Sequence, residues 1–100
     1  MLTIEKTTNG EKVTIALEGR LDINSAPQLT EELQRSLKNT TELVFDLGKL
    51  KYISSAGLRV LLLAQKQMNR QGRMRLVNVG ESVMDTLEIT GFTEIFYIAD

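Results

Sequence analysis

The stretch between residues 43 and 68 limits the possible folds most strongly, because its pattern changes once, in the middle. Residues 43–47 are apolar and predict a short buried strand, whereas residues 55–69 carry aliphatic side chains at helical spacing and predict a helix. Ser54 and Ser55 stand at the junction. A serine just before such a run is a helix start signal, since its hydroxyl can accept a hydrogen bond from a free first-turn amide. The stretch therefore predicts a strand followed directly by a helix, with either serine as the cap.

The first residues of the chain predict an antiparallel hairpin. Residues 2–7 alternate between two sets of side chains, and residues 12–17 place valine, isoleucine and leucine on one face. The Asn9-Gly10 pair between them is a strong two-residue turn signal. The first strand is expected at an edge of the sheet, and residues 18–22 are expected to leave the sheet.

An amphipathic helix is predicted after the hairpin. Asn24 and Ser25 are both good helix caps, and Pro27 fits the first helical turn. We expect the helix to end at Asn39. Its apolar stripe is formed by three leucines spaced four residues apart: Leu29, Leu33 and Leu37.

The C-terminal third predicts a strand, a short helix and a last strand. The strands are expected over residues 73–79 and 93–98, and the helix between them is expected to start near Ser82 and stop at Gly91. Strand and helix thus alternate after the hairpin. This alternation predicts an α/β fold, in which a mostly parallel mixed sheet is covered by helices and joined by right-handed crossovers. We expect residues 1–100 to form a single domain.

The composition excludes several classes of function. The chain has neither histidine nor cysteine, which rules out a Ser-His-Asp triad, a histidine-ligated zinc site and thiolate chemistry. The net charge of −1 argues against binding to nucleic acid. No apolar run approaches the ~20 residues of a membrane span, and the N-terminus lacks the layout of a signal peptide. We therefore expect a cytoplasmic protein without a metal ion or cofactor.

Motifs for catalysis and phosphate binding are incomplete. Ser55-Ala56-Gly57 could end a nucleophile elbow, but Ile53 stands where its first glycine belongs. Gly48-Lys49 has no glycine-rich loop before it and is not a P-loop. Asp46 is expected to bond a nearby backbone amide. The sequence therefore does not predict an enzyme.

Two chain segments are expected to form the functional rim of the sheet. Ligands of open α/β sheets bind beyond the carboxyl ends of the parallel strands. Here these ends lead into residues 19–24 and residues 50–57. If their strands are neighbours, Asp22 and Ser55 share one rim.

The residues around the serines allow two interpretations. A serine there can be a helix cap only, or its hydroxyl can be exposed where the helix dipole and free amides would also stabilise a phosphate. Gly57 can reflect close approach of another molecule or tight packing in the domain. Likewise, five of the six residues from 58 to 63 are aliphatic, which indicates a helix buried on several sides or a surface for a partner.

The chain resembles STAS domains, and specifically the bacterial anti-sigma factor antagonists, over residues 4–98. Supporting segments are residues 18–22 and residues 91–96, together with the order of the predicted elements. The most specific part follows Asp46-Leu47 and reads Tyr52-Ile53-Ser54-Ser55-Ala56-Gly57-Leu58-Arg59-Val60-Leu61.

The resemblance implies a phosphorylation switch. In the family, an anti-sigma factor that is also a serine kinase phosphorylates the serine matching Ser55. The unphosphorylated antagonist of the family binds this kinase and makes the kinase release its sigma factor. Phosphorylation blocks the binding, and a PP2C-type phosphatase restores the binding by removing the phosphate. Many members have aspartate at the position of Ser54, which leaves two serines as acceptors here. Ser55 is favoured because it keeps the spacing to Gly57 and Leu58, and Ser54 is the less favoured acceptor. The domain is then a substrate and ligand rather than a catalyst.

The resemblance also implies a partner-binding surface. The rim aspartate of the family matches Asp22, and the other expected contacts are Asn24, Ser54, Ser55, Ala56, Gly57, Leu58 and Arg59. The alternative is a STAS scaffold in another signalling or transport assembly, with Ser55 as a cap only. An α/β hydrolase is the least favoured interpretation, since no catalytic base is available.

Overall fold

The computed structural model describes residues 1–99. Four strands, three helices and one short 3₁₀ turn follow in this order: β1 Leu2–Asn9, β2 Lys12–Leu21, α1 Ala26–Ser36, β3 Glu42–Ile53, α2 Ser55–Gln71, β4 Arg73–Val77, α3 Glu81–Ile89 and the 3₁₀ turn Phe92–Glu94.

The strands form one mixed sheet in the order β1-β2-β3-β4. β1 and β2 are antiparallel, and β2, β3 and β4 run parallel to one another. Ile15, Phe45 and Leu76 lie side by side in register and are all fully buried. Side chains of all three helices join them in one hydrophobic core. The predicted α/β fold, its opening hairpin and its edge strand β1 are confirmed.

Helix α1 buries the predicted stripe. Leu29, Leu33 and Leu37 are all almost completely inaccessible to solvent. The prediction for the helix end was slightly too long, because α1 stops at Ser36 and Leu37 is its C-terminal cap. Asn39 follows with a positive φ of 62°, which asparagine adopts more readily than most residues.

The prediction that the chain leaves the sheet after residues 17 and 47 was wrong. β2 continues to Leu21 and β3 continues to Ile53. Their pairing persists through two register shifts, between Ala16 and Glu18 and between Gly19 and Arg20. These irregularities break the alternation that identifies a strand, but Leu21 and Ile53 remain paired and buried. Because β2 and β3 are long, their carboxyl ends, and therefore the rim, lie well away from the middle of the sheet.

The predicted last strand, residues 93–98, was also wrong. Phe92–Glu94 form a 3₁₀ turn, and the Phe92 and Phe96 rings meet edge to face with centroids 5.5 Å apart. The Phe96 N–H donates to the Phe92 carbonyl at 3.0 Å, so this segment is folded rather than extended. Only Ile98 forms a parallel bridge, to Leu76. The other predicted ends differ by two residues, since α2 ends at Gln71 and β4 ends at Val77.

Candidate functional site

The parallel pairing of β2 and β3 brings the two predicted rim segments together. Leu21 and Ile53 are register partners at the ends of these strands. Beyond them, the Ser54 N–H donates to the Leu21 carbonyl oxygen at 2.9 Å. Asp22 and Ser55 are each the next residue along their chain segments. The two therefore share one rim, as the sequence predicted for neighbouring strands.

Ser54, and not Ser55, caps helix α2. Ser54 has extended backbone angles, and its Oγ accepts from the Gly57 N–H at 3.3 Å. Of the two serines that the sequence allowed as the cap, the structure therefore selects Ser54, and the interpretation of Ser55 as a cap is wrong. Ser55 is the first residue of the helix, is exposed, and its hydroxyl makes no hydrogen bond within residues 1–99. The two serines thus have different surroundings, since one hydroxyl is engaged and the other is open to solvent.

The carboxylate of Asp22 is held in place by its own loop. Its Oδ1 accepts from the N–H groups of Asn24 at 3.0 Å and Ser25 at 3.1 Å. The buried Ser25 hydroxyl lies 2.9 Å from the Arg20 carbonyl oxygen and accepts from the Asp22 N–H at 2.9 Å. Ser25 therefore occupies the N-terminal cap position of α1, but its hydroxyl forms hydrogen bonds with the preceding loop and none with the amides of the helix.

These hydrogen bonds lower the pKa of the Asp22 carboxyl below its ordinary value. The Ser25 N–H has the largest effect, burial works in the opposite direction, and the Ser25 hydroxyl and Asn24 N–H lower the pKa further. Asp22 is therefore charged at neutral pH. Because the folded-state pKa is the lower one, the contribution of this carboxylate to stability is complete above its unfolded-state pKa. It is lost as the pH falls through the folded-state pKa.

The predicted contact residues on α2 divide into exposed and buried ones. Arg59 is exposed and Ala56 is partly exposed, as Ser54 is. Gly57 and Leu58 are buried, the latter with 3% of its surface exposed. The prediction that these two contact a partner directly does not fit their burial, because they face the strand ends. They support the rim from below instead.

Gly57 is explained by packing inside the domain. A Cβ atom at this position would lie 2.7 Å from Cγ of Leu21 and 3.0 Å from Cγ1 of Ile53, both closer than van der Waals contact. Of the two interpretations of this glycine, tight internal packing accounts for it. The absence of a side chain lets the first turn of α2 lie directly on the ends of β2 and β3.

We expect Gly57→Ala to destabilise the domain. Alanine favours a helix over glycine by ~1 kcal/mol, but overpacking a core costs ~1–3 kcal/mol. The net loss, measured by urea denaturation, should be about 1 kcal/mol. Leu21→Ala removes two of the three atoms that collide with the new methyl group, including the nearest one. In a double-mutant cycle the two changes should therefore cost less together than the sum of their separate effects, and strict additivity would contradict this explanation.

The sequence interpretation missed two exposed features near the rim, the Arg20–Tyr52 contact and Ile23, whereas Leu63 belongs to the aliphatic run for which a partner surface was one of two interpretations. Arg20 lies over the Tyr52 ring, with its guanidinium carbon 4.3 Å from the ring centroid, and its Nε is 3.9 Å from the Asp22 carboxylate. Ile23 is 73% exposed between Asp22 and Asn24, and Leu63 is 56% exposed on α2. Ile23 could have been found as a lone apolar residue within a polar loop. The contact between Arg20 and Tyr52 joins two distant segments of the sequence.

The geometry suits recognition by another macromolecule more than chemistry at a bound substrate. The rim combines one fixed carboxylate, one open hydroxyl and exposed aliphatic side chains. Within residues 1–99, no group of three or more acidic side chains is arranged to hold a metal ion.

A family model described as the STAS domain matches residues 3–100. The chain belongs to the STAS family. This STAS domain is 43% identical over 86 residues to BtrV of Bordetella bronchiseptica, named as an anti-sigma factor antagonist; the match covers 84% of this chain and 74% of BtrV. It is 27% identical over 99 residues to the anti-sigma-B factor antagonist of Bacillus subtilis, covering 98% of this chain and 91% of that protein.

Solved structures confirm the STAS fold. The anti-sigma factor antagonist SpoIIAA in its unphosphorylated form superimposes with a TM-score of 0.81 at 20% identity, covering 100% of this chain and 89% of that one. SpoIIAA of Bacillus in its phosphorylated form superimposes with a TM-score of 0.74 at 19% identity, covering 100% of this chain and 92% of that one. At such identities the likeness establishes the fold alone.

The family assignment also bears on catalysis. The anti-sigma factor antagonists of the STAS family are regulatory binding proteins rather than enzymes, which confirms the prediction that this STAS domain is not an enzyme. Among residues 1–99, none of the helices combines the length and the apolar character needed to cross a membrane.

Proposed function

We propose that this STAS domain is an anti-sigma factor antagonist that is switched at Ser55. In its unphosphorylated state it binds an anti-sigma factor that is a serine kinase, and this binding frees the sigma factor for transcription. The kinase transfers a phosphate to Ser55 and thereby ends the interaction. A PP2C-type phosphatase removes the phosphate and restores binding. The activity takes place in the cytoplasm, where sigma factors act.

One observation carries this proposal: Ser55 presents an open hydroxyl at the start of α2. A kinase needs an exposed acceptor, and Ser55 is exposed and makes no hydrogen bond within the described residues. Ser54 is partly buried and its oxygen accepts from the Gly57 N–H. The contrast favours Ser55 as the acceptor and supports a structural role for Ser54. The antagonists among the relatives support the same function.

The position of Ser55 allows a phosphate to be added without unfolding the domain. A phosphate brings about −1.5 to −2 charges at neutral pH. At a helix N-terminus a negative charge is favourable by ~0.3–1 kcal/mol, because the free amides and the helix dipole point toward it. In a surface covered by a partner the same charge would be desolvated and unpaired, which is strongly unfavourable. The modification is therefore tolerated by the fold and excluded by the complex.

The rim supplies the contacts for the kinase. Asp22 offers a carboxylate that is charged and held by loop hydrogen bonds, and it suits a basic side chain of the partner. Asn24 and Arg59 are exposed, and Ala56 is partly exposed in the first turn of α2. A preformed surface of this kind loses little entropy on binding.

The proposal is tested by incubating the protein with its cognate kinase and ATP and mapping the phosphate by mass spectrometry. We expect a single phosphate on Ser55, which is absent from Ser55→Ala and retained in Ser54→Ala. A PP2C-type phosphatase should remove it. A phosphate on Ser54 would reject the assignment of the acceptor. No phosphate at all would instead favour a STAS scaffold that binds partners without switching.

A further inference from the structure

An apolar groove leads away from the rim between α1 and α2. It has a volume of about 460 Å³ beside the rim, and a smaller hollow of about 170 Å³ continues it along the two helices. Ala56, Val60 and Leu63 line it from α2, and Ile23 stands at its mouth. The distance from Ala56 to Leu63 is two helical turns, or roughly 10 Å. The groove is thus long enough to receive several side chains of a partner.

The groove exists because the facing surface of α1 has small or polar side chains. Leu33 and Leu37 are almost completely buried and line only the smaller hollow. Beside the rim, the α1 side is lined by Pro27, Thr30 and Gln34. These residues follow the three-to-four spacing of one helix face. Opposite them, Leu63 is 56% exposed and Ile23 is 73% exposed. Two large aliphatic side chains therefore border a channel that no side chain of residues 1–99 fills.

The two charged side chains that line the groove differ in their ion pairing. Glu31 of α1 lies 3.3 Å from the guanidinium of Arg35, which also pairs with Glu32 at 3.2 Å. Arg59 of α2 also lines the groove, but it forms no ion pair within residues 1–99. The groove therefore offers aliphatic surface together with one guanidinium that has no ion-pair partner within residues 1–99, which complements an apolar segment bearing an acidic side chain.

We propose that this groove receives an amphipathic helix of the same kinase that contacts the Ser55 rim, with an acidic side chain of that helix against Arg59. This inference rests on the proposed function, because it extends the surface assigned there. Ala56 and Arg59 belong to both surfaces, so a partner that covers Ser55 already lies over the groove mouth. Amphipathic helices insert apolar side chains at three- and four-residue spacing into grooves of this form.

The groove gives the Ser55 phosphate a second way to act. Ser55 and Arg59 are four residues apart on α2, so their side chains are neighbours on the helix surface. A phosphate on Ser55 is an anion within reach of the Arg59 guanidinium, and it competes with the acidic side chain of the partner. Phosphorylation would thus remove the charge contact in the groove as well as the contact at the rim.

The test compares Leu63→Glu with Ile89→Glu by isothermal titration of the purified kinase from the same organism. Both side chains are exposed, and Ile89 of α3, which is 85% exposed, lies outside the groove. Leu63→Glu should weaken binding at least ~30-fold, as for loss of a central interface side chain. Ile89→Glu should bind like wild type. Arg59→Glu should weaken binding more than Arg59→Lys, and circular dichroism should show that all four variants are folded.

Three outcomes would overturn the inference. If Leu63→Glu binds as tightly as Ile89→Glu while Ser55→Asp does not bind, the groove is not used, but the proposed function stands. If the wild-type protein does not bind the kinase, both proposals fail. If sedimentation shows that wild type forms dimers and Leu63→Glu is monomeric, a second copy of this chain occupies the groove instead.

Discussion

Replacing Ser55 by aspartate is expected to leave the domain folded and to weaken its binding to the kinase by about 100-fold or more. The new carboxylate lies at the start of α2, where the helix dipole stabilises it. In the complex the same charge is covered by the partner, and burying an unpaired charge costs ~3–5 kcal/mol. Since each 1.4 kcal/mol changes affinity about tenfold, this cost is sufficient to abolish binding at ordinary concentrations. Isothermal titration with the unmodified kinase measures the effect.

The matched control is Ser54→Asp, which adds the same charge one residue earlier. Aspartate is as good a helix cap as serine, so its oxygen can take over the bond that Ser54 accepts from the Gly57 N–H. In that position the carboxylate of the aspartate faces the amides of the first helical turn rather than a partner. We therefore expect near wild-type affinity. Equal losses in both variants would contradict a specific role of Ser55, and unchanged binding by Ser55→Asp would reject the switch itself.

The two serines also show where sequence reasoning reaches its limit. The start of α2 could be predicted to within one residue, because a serine before an apolar periodic run is a local signal. Both serines satisfy that signal equally well. The choice is made by the bond from the Ser54 N–H to the Leu21 carbonyl, which joins segments more than thirty residues apart in the sequence and holds Ser54 extended. Non-local pairing of this kind cannot be found in a local pattern.

The errors at the ends of the strands have the same cause. The strand β3 continues through Gly48 and Tyr52, whose neighbours interrupt the alternation of buried and exposed residues. It persists because β2 remains beside it despite two register shifts. Conversely, residues 93–98 have enough aliphatic and aromatic side chains to resemble a strand, but the contact between Phe92 and Phe96 requires a turn. Tertiary contacts override the local preference in both cases.

The exposed groove was only partly predictable. The aliphatic arc of α2 indicated either burial on several sides or a partner surface, and both interpretations hold for different residues. Leu58 and Leu61 are buried, whereas Leu63 is 56% exposed. The hollow beside Leu63 is lined from the α1 side by Thr30 and Gln34 together with Leu33 and Leu37. These two leucines are almost completely buried, so they leave more than half of Leu63 uncovered. The sequence of α2 alone does not contain that information.

Replacing Phe45 by alanine is expected to cause the largest loss of stability in the domain. Phe45 is fully buried in β3, between Ile15 of β2 and Leu76 of β4. Removing a buried phenylalanine side chain typically costs ~3–5 kcal/mol, because the apolar contacts are lost and the rigid sheet cannot close the cavity. Whole domains are stable by only ~5–15 kcal/mol. We expect a decrease in Tm of at least about 12 °C, since each 1 kcal/mol corresponds to ~4–8 °C in a domain of this size.

Tyr97→Ala is the control for this effect, because it removes an aromatic side chain that is 67% exposed. The hydrogen bond between the Tyr97 carbonyl oxygen and the Leu76 N–H involves only the backbone and is kept. Surface changes of this kind usually alter stability by no more than ~0.5 kcal/mol. Urea denaturation of both variants should therefore separate them by at least about 2.5 kcal/mol. Similar losses would mean that the sheet centre can repack around a missing ring, and that the core does not hold the rim rigidly. In that case the spacing between Asp22 and Ser55, on which the proposed recognition by a kinase depends, would need another source.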